Sequence, residues 1–308
     1  MTEHVGSYVD QTTMASRTLH GGVGGPGEGA LTRLTSDHDA LAVILDRFAA
    51  AFTSLSSLLV AAPDATRLDR VRDEELIGDW PLRKDLDGRR GVDLLHRSAL
   101  AAEGAAEVRR DYNRLFFGPG PVIASPYESV YRSEEHLVFE LQTLQVREAY
   151  AGFGLSAPML NKEPDDHIGL EMGFLGALCV QAMDAIDAGD DAELKRLLAG
   201  VQSFLELHLL VWGPRCLDLA ASGSQTLFYQ GVAAMGLGAL RSAKAAFLPA
   251  IDSDKVPAVA DRSNPLGHNG AQATERGRSG ATEPITNPMT VGRLHRSDET
   301  SDASAKSW

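Results

Sequence analysis

Apolar residues recur at intervals of three and four through most of residues 36–251, the spacing that lines one face of an α-helix. Leu41, Ile44, Leu45, Phe48, Phe52, Leu55, Leu58 and Leu59 form one such stripe, which Ser36 or Asp37 can cap and Pro63 stops. A shorter helix is predicted over 65–77. A further one runs from Asp93 to Phe117, with Leu94, Leu95, Leu100, Val108, Tyr112, Leu115 and Phe116, and ends at Gly118. Ser133 can cap a helix reaching Tyr150, with Leu137, Leu141 and Leu144 on one face and Gly152 past its end. Asp165 and Asp166 open a helix that ends near Gly189. Asp190 and Asp191 open another through Leu198 that continues, or kinks at Gly200, into 201–211 before Pro214 breaks it. The last helix covers about 224–247, before Pro249. Alternation of period two is nearly absent, and no Asn-Gly hairpin joins apolar runs. The expectation is an all-α fold, a single helical domain of seven to nine helices.

The two ends break this pattern. Residues 1–35 carry the run Gly21-Gly22-Val23-Gly24-Gly25-Pro26-Gly27-Glu28-Gly29, and residues 252–308 are rich in Ser, Asn, Gly, Thr and Pro. Neither offers a sustained apolar face, so both are expected to be disordered tails around a domain at 36–251.

Composition narrows the function classes. Of 308 residues, 44% are apolar and 23% charged, enough for a sizeable core. The net charge is −13, and each tail contributes −1, so about −11 falls on the middle. Such a chain is poorly suited to gripping nucleic-acid phosphates. No run of about 18 apolar residues predicts stable membrane insertion. The first 30 residues lack the apolar core of a secretory signal. Cys179 and Cys216 are too few for a disulfide framework or a four-cysteine zinc site and read as small buried hydrophobes. The expected compartment is the cytoplasm.

Two segments between helices carry most of the chemistry. Gly118-Pro119-Gly120-Pro121-Val122-Ile123-Ala124-Ser125-Pro126-Tyr127-Glu128-Ser129-Val130-Tyr131 holds three prolines and two glycines, a long yet stiff connection. It reads either as a preformed surface for an extended peptide or small ligand, or as a rigid link whose tyrosines fill the core. The second segment is Asn161-Lys162-Glu163-Pro164-Asp165-Asp166-His167. Asp165 can cap the helix that follows and Asp166 favours its positive end. That leaves His167, a titratable ring beside Glu163 and Asp166, as a satisfied core histidine or part of a binding site.

A metal site could be assembled from Glu163, Asp166, His167, Glu171 and His208. There is, however, no His-Glu-x-x-His and no cysteine cluster, so no metal is expected. Phosphate-loop and nucleophile-elbow motifs are absent as well, which speaks against an enzyme.

These segments resemble a known family. Tyr112-Asn113-Arg114-Leu115-Phe116 is similar to the aromatic-x-x-Leu-Phe motif of the TorD/DmsD/NarJ-type redox-enzyme maturation chaperones. Glu163-Pro164-Asp165-Asp166-His167 is similar to the family's second motif, Glu-(Pro)-x-Asp-His. Phe117-Gly118-Pro119-Gly120 and Pro126 to Tyr131 resemble its loop, and Phe204 to His208 with Trp212 and Pro214 resemble its C-terminal helices. The resemblance covers about 40–250. It implies a cytosolic all-α chaperone that binds the apoprotein of a molybdenum-dependent oxidoreductase of the dimethyl-sulfoxide-reductase type, or its twin-arginine leader, until the cofactor is inserted. It also allows a homodimer formed by helix exchange. No cofactor is implied, and nucleotide binding, proposed for some members, stays open.

A twin-arginine leader presents two guanidinium groups beside an apolar stretch, so its receptor should offer carboxylate acceptors and an aromatic-rimmed groove. The expected peptide-binding residues are Glu163, Asp165, Asp166, His167, Tyr127, Glu128, Ser129 and Tyr131. Tyr112, Leu115, Phe116, Gly118, Pro119 and Gly120 are expected to support the groove. The competing readings are a helical assembly subunit that binds the mature oxidoreductase, and a metal- or nucleotide-dependent enzyme.

Overall fold

A computed structural model describes residues 37–73, 77–82, 84–118, 120–133, 141–158 and 163–248, and the backbone of Lys306–Ser307. The helices are α1 (His38–Val60), α2 (Ala65–Val71), α3 (Leu86–Leu100), α4 (Ala105–Phe116), α5 (Glu128–Arg132), α6 (Leu141–Gly152), α7 (Ile168–Ala188), α8 (Asp191–Phe204), α9 (Leu210–Gly223) and α10 (Leu227–Phe247). A π-helical turn, Leu205–Leu209, joins α8 to α9 in one continuous rod. With that rod counted once, the described residues hold nine helices, and the fold is all-α as the periodicity predicts.

The α1 stripe is buried along Leu41, Leu45, Phe48, Phe52, Leu55 and Leu59, and the Asp37 carboxylate accepts from the Ala40 N–H at 3.0 Å. Its main partner is α7, which is apolar on nearly all sides and lies at the centre of the molecule. The two helices approach closely at Gly169, where a Cβ would stand 2.6 Å from Val60 Cγ2. A second close crossing joins α3 to α10, where a Cβ on Gly91 would stand 2.7 Å from the Gly231 carbonyl. By length and hydropathy α1 and α7 could each cross a bilayer, although charged residues such as Asp46, Arg47 and Glu171 interrupt their apolar runs. Here each covers the other's apolar face, with α7 largely buried inside the protein.

Several element boundaries differ from expectation. The predicted helix 93–117 is two helices, because the chain turns at Ala102 (φ 52°) to bring Glu103 against α10. The helix predicted over 65–77 ends at Val71. Residues 128–131, read as loop, belong to the short helix α5, which Ser133 closes. The start of the helix before Leu141, including Leu137, lies outside the described residues. Pro214 does not break the rod: it sits inside α9, one turn after the π-helical widening that precedes it. Within the tail 252–308, Lys306–Ser307 pairs in parallel with a short strand at Leu155–Ser156. The rest of that tail, and residues 1–35, lie outside the described residues.

Candidate functional site

The entrance of α7 is capped by a residue not expected to do so. His167, rather than Asp165, occupies the N-cap, and its Nδ1 accepts from the Gly169 N–H at 3.0 Å. That releases both aspartates for other work. After Pro164 the chain turns at Asp165 and Asp166, and His167 then forms an antiparallel bridge with Tyr127. The Ile168 N–H donates to the Pro126 carbonyl at 2.7 Å, and the Glu128 N–H to the Asp166 carbonyl at 2.9 Å. Thus the proline-bearing loop and the acidic helix entrance, 36 residues apart at their Tyr127–Glu163 contact, are hydrogen-bonded together.

Asp166 is fully buried. One carboxylate oxygen accepts from the Ser129 N–H at 2.9 Å and the other from the Thr143 hydroxyl at 2.8 Å. It therefore caps α5 from across the fold, since α5 has no side-chain cap of its own. Asp165, also buried, pairs with Arg147 (Nε to Oδ2, 2.8 Å), and its carbonyl accepts from the Tyr150 hydroxyl at 2.9 Å. The half-buried Tyr127 donates its hydroxyl to Glu163 at 2.5 Å. Burial and the neighbouring Glu163 carboxylate both push that phenol's pKa upward. His167 is fully buried, its ring edge-on to Tyr127 at 5.5 Å, and burial depresses its pKa to about 3. Its Nε2 has no hydrogen-bond partner among the described residues.

A second ring of polar groups lies behind this junction. Glu128 is fully buried, with one oxygen on Arg132 and the other 2.9 Å from His208 Nδ1. Arg132 also donates to the Leu207 carbonyl at 2.8 Å, so it ties α5 to the π-helical turn. Glu171, one turn into α7, accepts from Trp212 Nε1 at 3.3 Å. Burial, with the charges of Glu128 and Asp166 nearby, holds the Glu171 carboxyl well above the usual range. Tyr131 is half-buried and its ring lies 5.4 Å from Trp212. Next to these, Leu207 and Val211 stand 59% and 54% exposed on one face of the rod, leaving an apolar strip in solvent.

Tyr112, Leu115 and Phe116 pack in the core. The Tyr112 hydroxyl donates to the last α1 carbonyls, Leu59 at 3.0 Å and Val60 at 2.7 Å, and so caps the C-terminus of α1. Gly118 and Gly120 adopt φ of 92° and 113°, which turn the chain out of α4. Pro119 between them lies outside the described residues. Cys179 and Cys216 are buried thiols, both pushed up to about 12 by burial. Among the described residues, no cluster of three or more His, Cys, Asp or Glu side chains has the arrangement to hold a metal.

With this geometry in place, similarity to other proteins becomes informative. Residues 85–218 match the family model described as the nitrate reductase delta subunit, a span that contains every residue of the site. The chain is 30% identical over 148 residues to the chaperone protein TorD of Vibrio atlanticus, covering 47% of this chain and 66% of that protein. It is 26% identical over 187 residues to the Tat proofreading chaperone DmsD of Salmonella typhi, covering 61% and 84%. Over residues 85–218 the chain thus resembles the TorD-like chaperones. The match to the Vibrio atlanticus relative spans just under two thirds of that relative's own length.

The sequence pointed to the junction and to Glu128 and Tyr131 behind it, but not to the partners of the buried carboxylates. Thr143, Arg147 and Arg132 carry no motif, and only the fold aims them at Asp166, Asp165 and Glu128. Glu171 and His208 drew notice as metal ligands. In the structure Glu171 faces Trp212, and His208 faces Glu128.

Proposed function

We propose that this TorD-like protein is a cytoplasmic maturation chaperone for a molybdopterin oxidoreductase of the dimethyl-sulfoxide-reductase type. It binds the apoprotein through its twin-arginine leader and holds it until the cofactor is inserted. It acts by binding and not by catalysis. The observation that carries this reading is the hydrogen-bonded junction of the two motif segments at Tyr127 and His167. An all-helical chain with this resemblance and a net charge of −13 supports it further, because such a field attracts a basic leader.

Roles divide by exposure. Asp165, Asp166, His167, Glu128 and Ser129 shape the site from beneath, since their polar atoms already serve the chain itself. Glu163 and Tyr127 stand at its half-buried rim and receive the arginines, by charge-assisted hydrogen bonding and by a cation–π contact respectively. The apolar part of the leader lies on Tyr131, Leu207 and Val211.

Calorimetric titration with a synthetic twin-arginine leader tests the proposal. Asp166→Asn and His167→Asn should weaken binding while helical content is retained. Leu207→Asp should weaken it without disturbing the buried network. Unchanged affinity in all three would remove the leader from this site. A complex with the oxidoreductase that survives deletion of its leader would favour an assembly subunit that recognises the mature protein.

A further inference from the structure

Between α1, α2, α3 and α10 there is a cavity of about 480 Å³. Its floor is apolar, formed by Leu55, Leu58, Ile77, Leu95 and Met235. Its rim is not. Arg67 and Arg70 on α2 stand beside it, with the hydroxyls of Ser54 and Ser57 on α1. Trp80 forms one wall and also lines a smaller cleft with Arg47, Asp79 and Lys84. The Trp80 side chain is buried, and its indole N–H has no hydrogen-bond partner among the described residues.

Three features set this place apart from a packing flaw. An apolar recess of this size leaves its lining short of the dispersion contacts that an apolar chain would supply. In a chain of net charge −13, four basic side chains gather around Trp80, and none of them forms an ion pair among the described residues. The combination of an apolar floor and a few convergent polar groups is that of a small-molecule site. The site shares no residue with the leader junction, which lies against α1 at Ser56 and Val60.

We infer that this cavity binds a single-chain anionic amphiphile: an acyl or similar apolar chain on Leu55, Leu58, Ile77 and Met235, with a carboxylate or monophosphate head held by Arg67 and Arg70. Guanidinium groups pair well with either head. The ligand is a monomeric molecule taken up by the cavity and not the surface of a bilayer, because the floor is recessed beneath the two arginines.

Trp80 reports on the site. The full chain is titrated with monomeric decyl phosphate, with decanol and with phosphatidylglycerol vesicles, and tryptophan fluorescence is followed. Decyl phosphate should shift the emission, and Trp80→Phe should lose that shift while calorimetry still registers binding. The double variant Arg67→Ala/Arg70→Ala should weaken decyl phosphate about tenfold, the loss of a charge-assisted contact, and leave decanol binding unchanged. Ser57→Trp, at the mouth, should block both. No response to decyl phosphate up to about 1 mM would overturn the inference, as would equal affinity in the arginine double variant or a response to vesicles alone.

Discussion

Two helix entrances in this protein are built on buried carboxylates that reach across the chain, and they differ in which groups around those carboxylates are left without a partner. At the entrance of α10, Asp111 accepts from the Ser224 and Thr226 hydroxyls and from the Gln225 and Thr226 N–H groups, and it pairs with Arg114. Glu103 takes the next two N–H groups, of Leu227 and Phe228. Burial alone would raise the Asp111 pKa, but these donors together hold it below the usual carboxylate range. At the entrance of α7, Asp166 is similarly served, yet His167 Nε2, Ser129 Oγ and Glu171 Oε1 are buried without partners among the described residues. Around Asp111 and Glu103 the atoms left over are guanidinium nitrogens, Arg114 Nε and Arg72 Nε and Nη2, while the groups that cap the helix are served. At α7 the capping side chain itself, His167, keeps a buried ring nitrogen without a partner among the described residues, a cost that capping alone does not explain and the physical ground for placing function there.

The sharpest way to break this contrast is to remove each carboxylate. Asp111→Ala orphans several buried donors and the Arg114 guanidinium, and should cost about 3–5 kcal/mol in a denaturant melt. Leader affinity of the protein that remains folded should be unchanged. Asp166→Ala should cost less, about 1–3 kcal/mol, for the two donors it abandons, and should weaken leader binding. If Asp111→Ala proved the milder of the two, the reading of α10 as the structural entrance would fail. Comparable to Asp166→Ala in stability is Gly169→Ala, which presses a methyl group onto Val60 and should destabilise by about 1–3 kcal/mol through the α1–α7 packing.

The pH dependence of melting sharpens the same contrast. His167, depressed to about 3 in the fold against an ordinary value near 6.5, favours the folded state fully above about pH 6.5. Its contribution is lost as pH falls from there toward 3, since the unfolded chain takes the proton first. Glu171 works in the opposite sense. Its raised pKa favours the fold below its ordinary value, and that contribution is lost as pH rises through the folded pKa. Calorimetric melts from about pH 4 to about pH 8 should show a shallower acid limb for His167→Asn, and Glu171→Gln should gain stability relative to the parent on the alkaline side. The smallest effect is expected from Glu163→Gln at the rim: within about 0.5 kcal/mol in stability, with a measurable fall in leader affinity.

Much of this was legible in the chain. The stripe from Leu41 to Leu59, the Asp37 cap and the left-handed Gly189 closing α7 follow from period and cap chemistry, which are local. The two motif segments were legible as well, through the order of Tyr112, Glu163 and His167. The cap of α7 was not. Asp165 has the better local chemistry for it, but Arg147 and Tyr150 claim Asp165 from α6, and His167 fills the place it leaves. The passage of the rod through Pro214 was hidden for a related reason. Arg132, far away in sequence, holds the Leu207 carbonyl at the π-helical turn, and only the fold brings it there.

By itself, then, the sequence determined which stretches are helices, because helix periodicity and capping act over a few residues, and it set the acidic character of the whole. What only the tertiary structure decided is where each buried charge finds its partner. Asp166 completes α5, Asp111 completes α10 and Glu128 meets His208, over separations of 37, 115 and 80 residues. A carboxylate removed from water must be met by some donor, but the chain does not say which until packing has brought the candidates together.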